Sequence, residues 1–215
     1  MAQVPTGTLF FIASAYAAAQ ATTAVSNASE AIVTATAHGF ANGDIIEITS
    51  GWGRLNRRCF RAKSVAANTF VLEGADTTST TFYPAGNGVG SVRKVSTFTQ
   101  ITSVMNPASS GGDPVNVEYK FTESDVKYSI NDGFGATNYS MNLDADAIGS
   151  AGYTALKTLT EVQTDTCLKM VTRSGSLLLQ PCTVALNESV KLQDGNINQV
   201  SANFNGNNRL VRYAA

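Results

Sequence analysis

Histidine occurs once in this 215-residue chain, tryptophan once, cysteine three times and proline five times. One imidazole excludes a His-rich metal site and any catalytic set that needs a second. Three cysteines over this length are no disulfide framework. No apolar run reaches the roughly 18 residues of a membrane span. Charge is scarce too: Asp, Glu, Lys and Arg make up 14%, against about 25% in typical soluble domains. The net charge is −1, whereas a protein that coats nucleic acid would be basic. A free monomer usually carries mixed surface charge and a net charge of magnitude about 2–8. This chain offers Thr, Ser, Asn and Gly instead, a surface suited to faces covered by copies of itself.

What is present reads as short strands. The length suits one large domain or two small ones, enough to bury roughly 70% of the unfolded surface. Leu9–Ala19 has the apolar run and small residues of a signal peptide, but the first basic side chain is Arg54. The segment is therefore expected to be mature, with Thr8–Ala13 a buried strand. Ala17–Glu30 is Ala/Thr/Ser-rich and reads as a linker or arm. From Ala31 to Val95, strands alternate with sharp turns such as His38-Gly39-Phe40-Ala41-Asn42-Gly43-Asp44, with no 3.6-residue period. Beyond Ser96, Phe98–Met105 is expected as a strand and Asn106–Val126 as a long loop broken by Pro107 and Ser109-Ser110-Gly111-Gly112-Asp113-Pro114. One helix is predicted, Ser150–Gln163, capped by Ser150, with Tyr153, Leu156, Leu159 and Val162 on one stripe. Ser174-Gly175 predicts a two-residue hairpin turn pairing Arg173 with Ser176, and so Cys167 with Cys182. Ile197–Phe204 and Arg209–Tyr213 predict a last hairpin.

The strand faces carry a functional hint. Tyr139, Met141 and Leu143 alternate with Asn138, Ser140 and Asn142; Val200, Ala202 and Phe204 alternate with Gln199, Ser201 and Asn203. Each strand thus pairs an apolar face with one that is polar yet uncharged. Such a face suits a water-filled passage for a polyanion, which lysines or arginines would hold back; it equally suits an Asn/Ser-rich solvent face.

Other chemistry is thin. His38 lies in a Gly-flanked turn with no ligand-spaced partner. Cys59 sits between Arg58 and Arg61 in an alternating strand and reads as structural. Asp144 and Asp146 resemble part of a calcium loop but lack its glycine and distal glutamate, and read as helix-leading acids. Gly86-Asn87-Gly88-Val89-Gly90 precedes a strand, so it is no phosphate-binding fingerprint. No catalytic, cofactor or metal residues are expected. Arg54, Arg57, Arg58, Arg61 and Lys63 form a basic run. Residues 1–95 hold 7 basic and 5 acidic side chains, +2, and residues 96–215 hold 8 and 11, −3. The run could touch nucleic acid or dock onto acidic patches of a neighbouring copy; with only Phe60 interleaved, docking is favoured.

Pro5-Thr6-Gly7-Thr8-Leu9-Phe10-Phe11-Ile12-Ala13, the segment Ala37–Asp44, Thr49-Ser50-Gly51-Trp52-Gly53-Arg54-Leu55-Asn56 and Leu72–Thr78 resemble the major tail protein, or tail tube protein, of phages with long non-contractile tails. The likeness is strongest in 5–105. It implies a mainly β fold, a barrel-forming β-sandwich with one flanking α-helix at about 150–163. The implied division is an N-terminal strand and arm (1–30), an inserted small β-module on the tube exterior (31–95) and the tube core (96–215). It implies hexameric rings that stack into a tube in the virion, assembled in the host cytoplasm, with genomic DNA passing through unrecognised. Expected partners are further copies, the tape-measure protein, and terminator and tip proteins; no enzyme activity, cofactor or membrane span is implied. The neutral face, Asn138, Ser140, Asn142, Gln199, Ser201 and Asn203, would line the bore. The long loop, with Asn106, Ser110, Gly111, Gly112, Asp113, Pro114 and Glu118, would reach the adjacent ring. Arm and loop are expected to be mobile in the monomer and to order on assembly. The competing reading is a secreted β-sandwich binding module or adhesin, for which Trp52 is the obvious sugar-stacking aromatic.

Overall fold

In the computed structural model of the protein, residues 6–215 are described; the first five residues of the expected arm lie outside them. The strands of the first half are β1 (Leu9–Tyr16), β2 (Gln20–Ala21), β3 (Ala24–Val25), β4 (Ile32–Thr34), β5 (Ile45–Ser50), β6 (Arg58–Lys63), β7 (Thr69–Leu72) and β8 (Gly90–Ile101). Then come β9 (Val104–Gly111), β10 (Pro114–Tyr119), β11 (Tyr128–Phe134) and β12 (Thr137–Asp144). A 3₁₀ turn at Ala145–Gly149 leads into α1 (Ala151–Val162), followed by β13 (Thr166–Val171), β14 (Leu177–Lys191), β15 (Gln199–Gly206) and β16 (Val211–Tyr213). The fold is mainly β with one helix, as expected.

Fourteen strands form one antiparallel sheet in the order β3-β4-β7-β6-β5-β8-β1-β13-β14-β15-β12-β9, with β2 beside β8 and β16 beside β14; β10 and β11 form a separate ribbon. Two apolar cores flank it. One gathers Ile46, Ile48, Trp52, Phe60, Phe70 and Leu72 with Ala13, Cys167, Leu179 and Tyr213. The other lies where α1 covers the sheet, joining Tyr153 and Leu156 to Ile12, Met141, Leu143, Leu168, Val184, Val200 and Phe204. Ser150 caps α1, its Oγ accepting from the Tyr153 N–H at 3.3 Å. Gly152 brings the helix onto β8: a Cβ there would stand 2.5 Å from the Gln100 carbonyl oxygen. Of the predicted stripe, Tyr153 and Leu156 are buried, Leu159 is half-buried, and Val162, in the last turn, is 60% exposed.

Several expectations give way. The arm after Ala17 is woven into the sheet through β2 on β8 and β3 on β4. β8 runs unbroken from Gly90 to Ile101, and the expected Phe98–Met105 strand breaks at Ser103, whose φ is +56°. Asn106–Val126 is no open loop, because its polar residues are paired: β9 lies on β12 and β10 on β11. In the β13–β14 hairpin the turn holds three residues, with Thr172 N–H bonded to the Ser176 carbonyl at 3.0 Å and Gly175 at φ +86°. That is the three-residue loop with a left-handed glycine. It shifts the register by one, so Cys167 faces Pro181 and Cys182 faces Thr166. The last hairpin does not form: β15 pairs with β12 and β14, while β16 lies in line with it along the same edge of β14.

Candidate functional site

Alternation along β12 and β15 does what the sequence predicts on one face: Met141, Leu143, Val200, Ala202 and Phe204 are buried beneath α1. The opposite face collects the six polar candidates. Ser140 lies across from Asn203, and Asn142 across from Ser201. Asn138 accepts the Gly206 N–H at 3.0 Å through Oδ1. Neighbouring strands extend the neutral patch, since Ser140 and Asn138 face Ala108 and Ser110 on β9, and Asn203 and Ser201 face Ala185 and Asn187 on β14. Charge enters at the Asp144 end, where Gln199 pairs with both Asp144 and Lys191; the lysine Nζ lies 3.5 Å from Asn142 Oδ1.

The long segment read as a ring-contact loop forms a projecting ribbon. Gly111 and Gly112, at φ +77° and +81°, turn the chain from β9 into β10, and the Gly135 N–H bonds the Asp113 carbonyl at 2.9 Å on the returning side. A Cβ on Gly111 would stand 2.0 Å from the Ala136 carbonyl oxygen, so only glycine allows the strands to cross so closely here. From Asp113 to Asp132 every residue except Ser124 is exposed. Register places Val117 opposite Ile130 and Tyr119 opposite Tyr128. With Val115 they make one apolar ribbon face, and Phe121 joins Tyr119 and Tyr128 in an aromatic cluster with ring centroids 5.4–5.8 Å apart. Pro114 and Glu118 take the other face, while Asn106 and Ser110 belong to β9. Sequence reasoning singled out the polar residues here; the alternation Val115, Val117, Tyr119 was the signal it passed over.

The basic run is not one patch. Arg57 pairs with Asp165 at 3.2 Å and Lys63 with Glu30 at 3.0 Å. Arg61 holds Glu73 through two nitrogens, the Nη2–Oε1 contact being 2.9 Å. Those bonds hold the Glu73 and Glu30 carboxyls below their ordinary range. Arg54 and Arg58 have no carboxylate partner among the described residues. Arg54 stacks on Phe82 at 3.3 Å, and Arg58 donates through Nε to the Arg209 carbonyl at 3.3 Å. Burial, and then the neighbouring Arg209 charge, push the Arg58 guanidinium down from its usual value. Folding therefore exchanges three members of the run for Arg209 and Arg212.

Residues with possible chemistry are structural. Trp52 is buried, its indole N–H donating to the Pro84 carbonyl at 2.8 Å, so it offers no sugar platform. His38 is packed against Phe40 and Phe70, with Nδ1 accepting the Phe40 N–H at 3.1 Å. Asp144 caps the 3₁₀ turn by accepting from the Asp146 N–H at 3.0 Å. Burial raises the Cys182 thiol, and a hydrogen bond to Cys167 together with burial raises Cys59. Among the described residues no group of three or more His, Cys, Asp or Glu could hold a metal ion, and no helix is long and apolar enough to cross a membrane.

No curated protein matches the sequence. Among solved structures, a chain from the tail of an empty GTA particle, computed with helical refinement and C6 symmetry, superposes with a TM-score of 0.43 at 9% identity. It covers 54% of this chain and 87% of that one. The model of the phage tail tube protein family matches residues 50–215, so the match takes in the whole later half and leaves out residues 1–49 of the 5–105 stretch where the likeness was expected to be strongest. The chain therefore belongs to the phage tail tube protein family, a structural, non-enzymatic component of the virion tail.

Proposed function

We propose that copies of this chain close into rings, six to a ring as the family resemblance implies, and that the rings stack into a hollow conduit for DNA. The neutral face built around Ser140, Asn142, Ser201 and Asn203 lines the bore, where a wall whose one lysine, Lys191, stands at its edge beside Asn142 holds few phosphates. The 31–95 segment decorates the exterior. Assembly takes place in the host cytoplasm, with a tape-measure protein and terminator and tip proteins setting where the tube begins and ends. The observation that carries this reading is the β10–β11 ribbon, whose large side chains Val115, Val117, Tyr119, Tyr128 and Ile130 are all exposed. A two-stranded ribbon is marginal alone in water, and a contiguous apolar face of this kind marks an interaction surface. We assign it to the adjacent ring. β9, the last strand of the large sheet, supplies an edge for a neighbour within the ring.

Electron microscopy of purified protein at rising concentration tests the proposal. Rings or tubes with a central channel are expected. The double variant Val117→Ser/Ile130→Thr should keep the wild-type melting temperature and form no stacked tubes. Protein that remains monomeric under all conditions, or a variant that stacks like wild type, overturns it.

A further inference from the structure

Two of the three cysteines meet at the joint between the 31–95 segment and the tube core. Cys59 sits on β6, opposite Glu47. Arg61 shares its face of the strand and lies over the Tyr213 ring at 4.5 Å, so this face looks onto the tube core. Cys167 comes from β13, where Leu168 and Met170 turn into the core beneath α1 and Cys167 turns the other way. The two thiols meet in a hydrogen bond, and both are fully buried. Around them the joint is held by polar contacts. Arg57 pairs with Asp165 at 3.2 Å, Arg93 donates to the Asp165 carbonyl at 3.2 Å, and Asn208 Nδ2 donates to the Gly53 and Asn56 carbonyls at 3.1 and 2.8 Å. All three cysteines are free thiols, so the polypeptide itself is the one covalent tie across the joint. Cys182 lies in the other core and has no part in this contact.

We infer that Cys59 and Cys167 are a latent cross-link, which a disulfide oxidant such as oxidised glutathione closes into a bond between the 31–95 segment and the tube core. Hydrogen-bonded sulfurs are already in contact, and a bond needs them to close to about 2 Å. When the joint opens, one thiol gives up its proton and attacks the oxidant. The glutathione S–S bond breaks, one glutathione leaves, and the other stays on the protein as a mixed disulfide. When the joint closes, the second thiol gives up its proton, attacks the protein sulfur of that mixed disulfide and expels the remaining glutathione. Two protein thiols are oxidised, one glutathione disulfide is reduced to two thiols, and the two protons pass to them. Burial sets the gate. A closed joint shields both sulfurs from oxidant and reductant alike, so linking follows opening. The bond encloses about 110 residues, a length that strongly restricts the unfolded chain. Its timing rests on the tube reading above. A reducing cytoplasm keeps the pair open while tubes are built, and the oxidising medium outside the host closes it in the finished tail.

Peptide mapping of the folded full chain tests the cross-link. Reduced protein incubated with oxidised glutathione should lose two of its three thiols. One linked peptide pair should appear, Cys59 with Cys167, while Cys182 alone takes up alkylating reagent after unfolding. Urea below the unfolding transition should speed linking several-fold, because it opens the joint. Oxidised wild type should then unfold at about 1 M more urea than reduced wild type. Cys167→Ser, which cannot link, should show no such shift. Three thiols still free after oxidant and sub-transition urea, a Cys59 or Cys167 left on glutathione, or a link that includes Cys182 overturns the inference. Tubes assembled from reduced protein and then oxidised should keep their form and carry the same bond. Wild type that links but forms no tubes counts against the tube reading and leaves the cross-link standing. Wild-type tubes whose subunits never link overturn the cross-link alone.

Discussion

Cys167 stands across its ladder from Pro181, while Cys182 faces Thr166. The one-residue difference from a Cys167–Cys182 pair sends the two thiols to opposite sides of the sheet. Cys167 enters the core shared with Cys59, and Cys182 the core beneath α1. Incubating the folded protein with oxidised glutathione should therefore give no Cys167–Cys182 bond, and peptide mapping under non-reducing conditions should find these two residues unlinked. A linked peptide would show that the hairpin register is wrong.

Stability should fall on the alkaline side. Cys59 is raised by its hydrogen bond to Cys167 and by burial, and Cys182 by burial. Burial pushes Tyr213, whose hydroxyl donates to the Glu73 carbonyl, up to about 12. The native state keeps protons that the unfolded chain releases from about pH 8.5 for Cys and about 10 for Tyr. The stabilisation is thus complete below about pH 8.5 and is lost as pH rises, by up to about 1.4 kcal/mol per unit for each group. Urea midpoints measured from pH 7 to 11 should decline, and Tyr213→Phe should flatten the upper part of the curve. A level profile would show that these groups are not held neutral.

The parts legible in sequence were those governed by local periodicity. Alternation in β12 and β15 was enough to name the buried and neutral faces, because the side-chain period of a strand is two whatever it pairs with. Ser150 and the Tyr153–Leu156 stripe placed the helix for the same reason. What failed was decided by partners distant in the chain. Ser109 to Gly112 read as a loop because nothing local shows that Ser110 pairs with Asn138. Arg57, Arg61 and Lys63 read as a free patch because Asp165, Glu73 and Glu30 meet them only in the folded molecule. The Cys167 register turned on whether Ser174-Gly175 closes a two- or three-residue turn, a choice that composition leaves open.

Arg93 holds Glu47 within the 31–95 segment and ties that segment to the rest of the fold through Asp165 and Tyr16. Glu47 is 5% exposed. Arg93 Nη2 donates to both of its oxygens at 2.9 and 3.0 Å and to the Asp165 carbonyl at 3.2 Å, and the guanidinium lies 3.9 Å from the Tyr16 ring centroid. Arg93→Met should cost about 3–5 kcal/mol, because it leaves a carboxylate buried and unpaired. Glu47→Leu/Arg93→Met, which removes both charges, should cost clearly less. Equal losses in denaturant titrations would mean that packing rather than charge dominates the site.

Gly111 should be needed for assembly more than for folding. A Cβ there collides with the Ala136 carbonyl, and the displacement falls on the ribbon, which lies outside both apolar cores. Gly111→Val should lower the melting temperature by only a few degrees and abolish tube formation, because Val117 and Ile130 no longer point where a neighbour can cover them. Normal tubes from this variant would show that ribbon direction is not fixed at the glycine.

Ser201 gives the sharpest test of the bore. It faces Asn142 on one side and Asn187 on the other, so a lysine there projects from the middle of the neutral patch without entering a core. Ser201→Lys should change stability by no more than about 0.5 kcal/mol and leave tube formation intact. DNA delivery should slow, because every ring would present lysines to the passing phosphates, and raised salt should relieve the defect by weakening those contacts. Thr158→Lys, exposed on the helix that covers the opposite side of the sheet, should have no such effect. If both variants deliver DNA like wild type, the neutral face does not line the channel. If Thr158→Lys alone slows delivery, the sheet is turned the other way, with the helix facing inward.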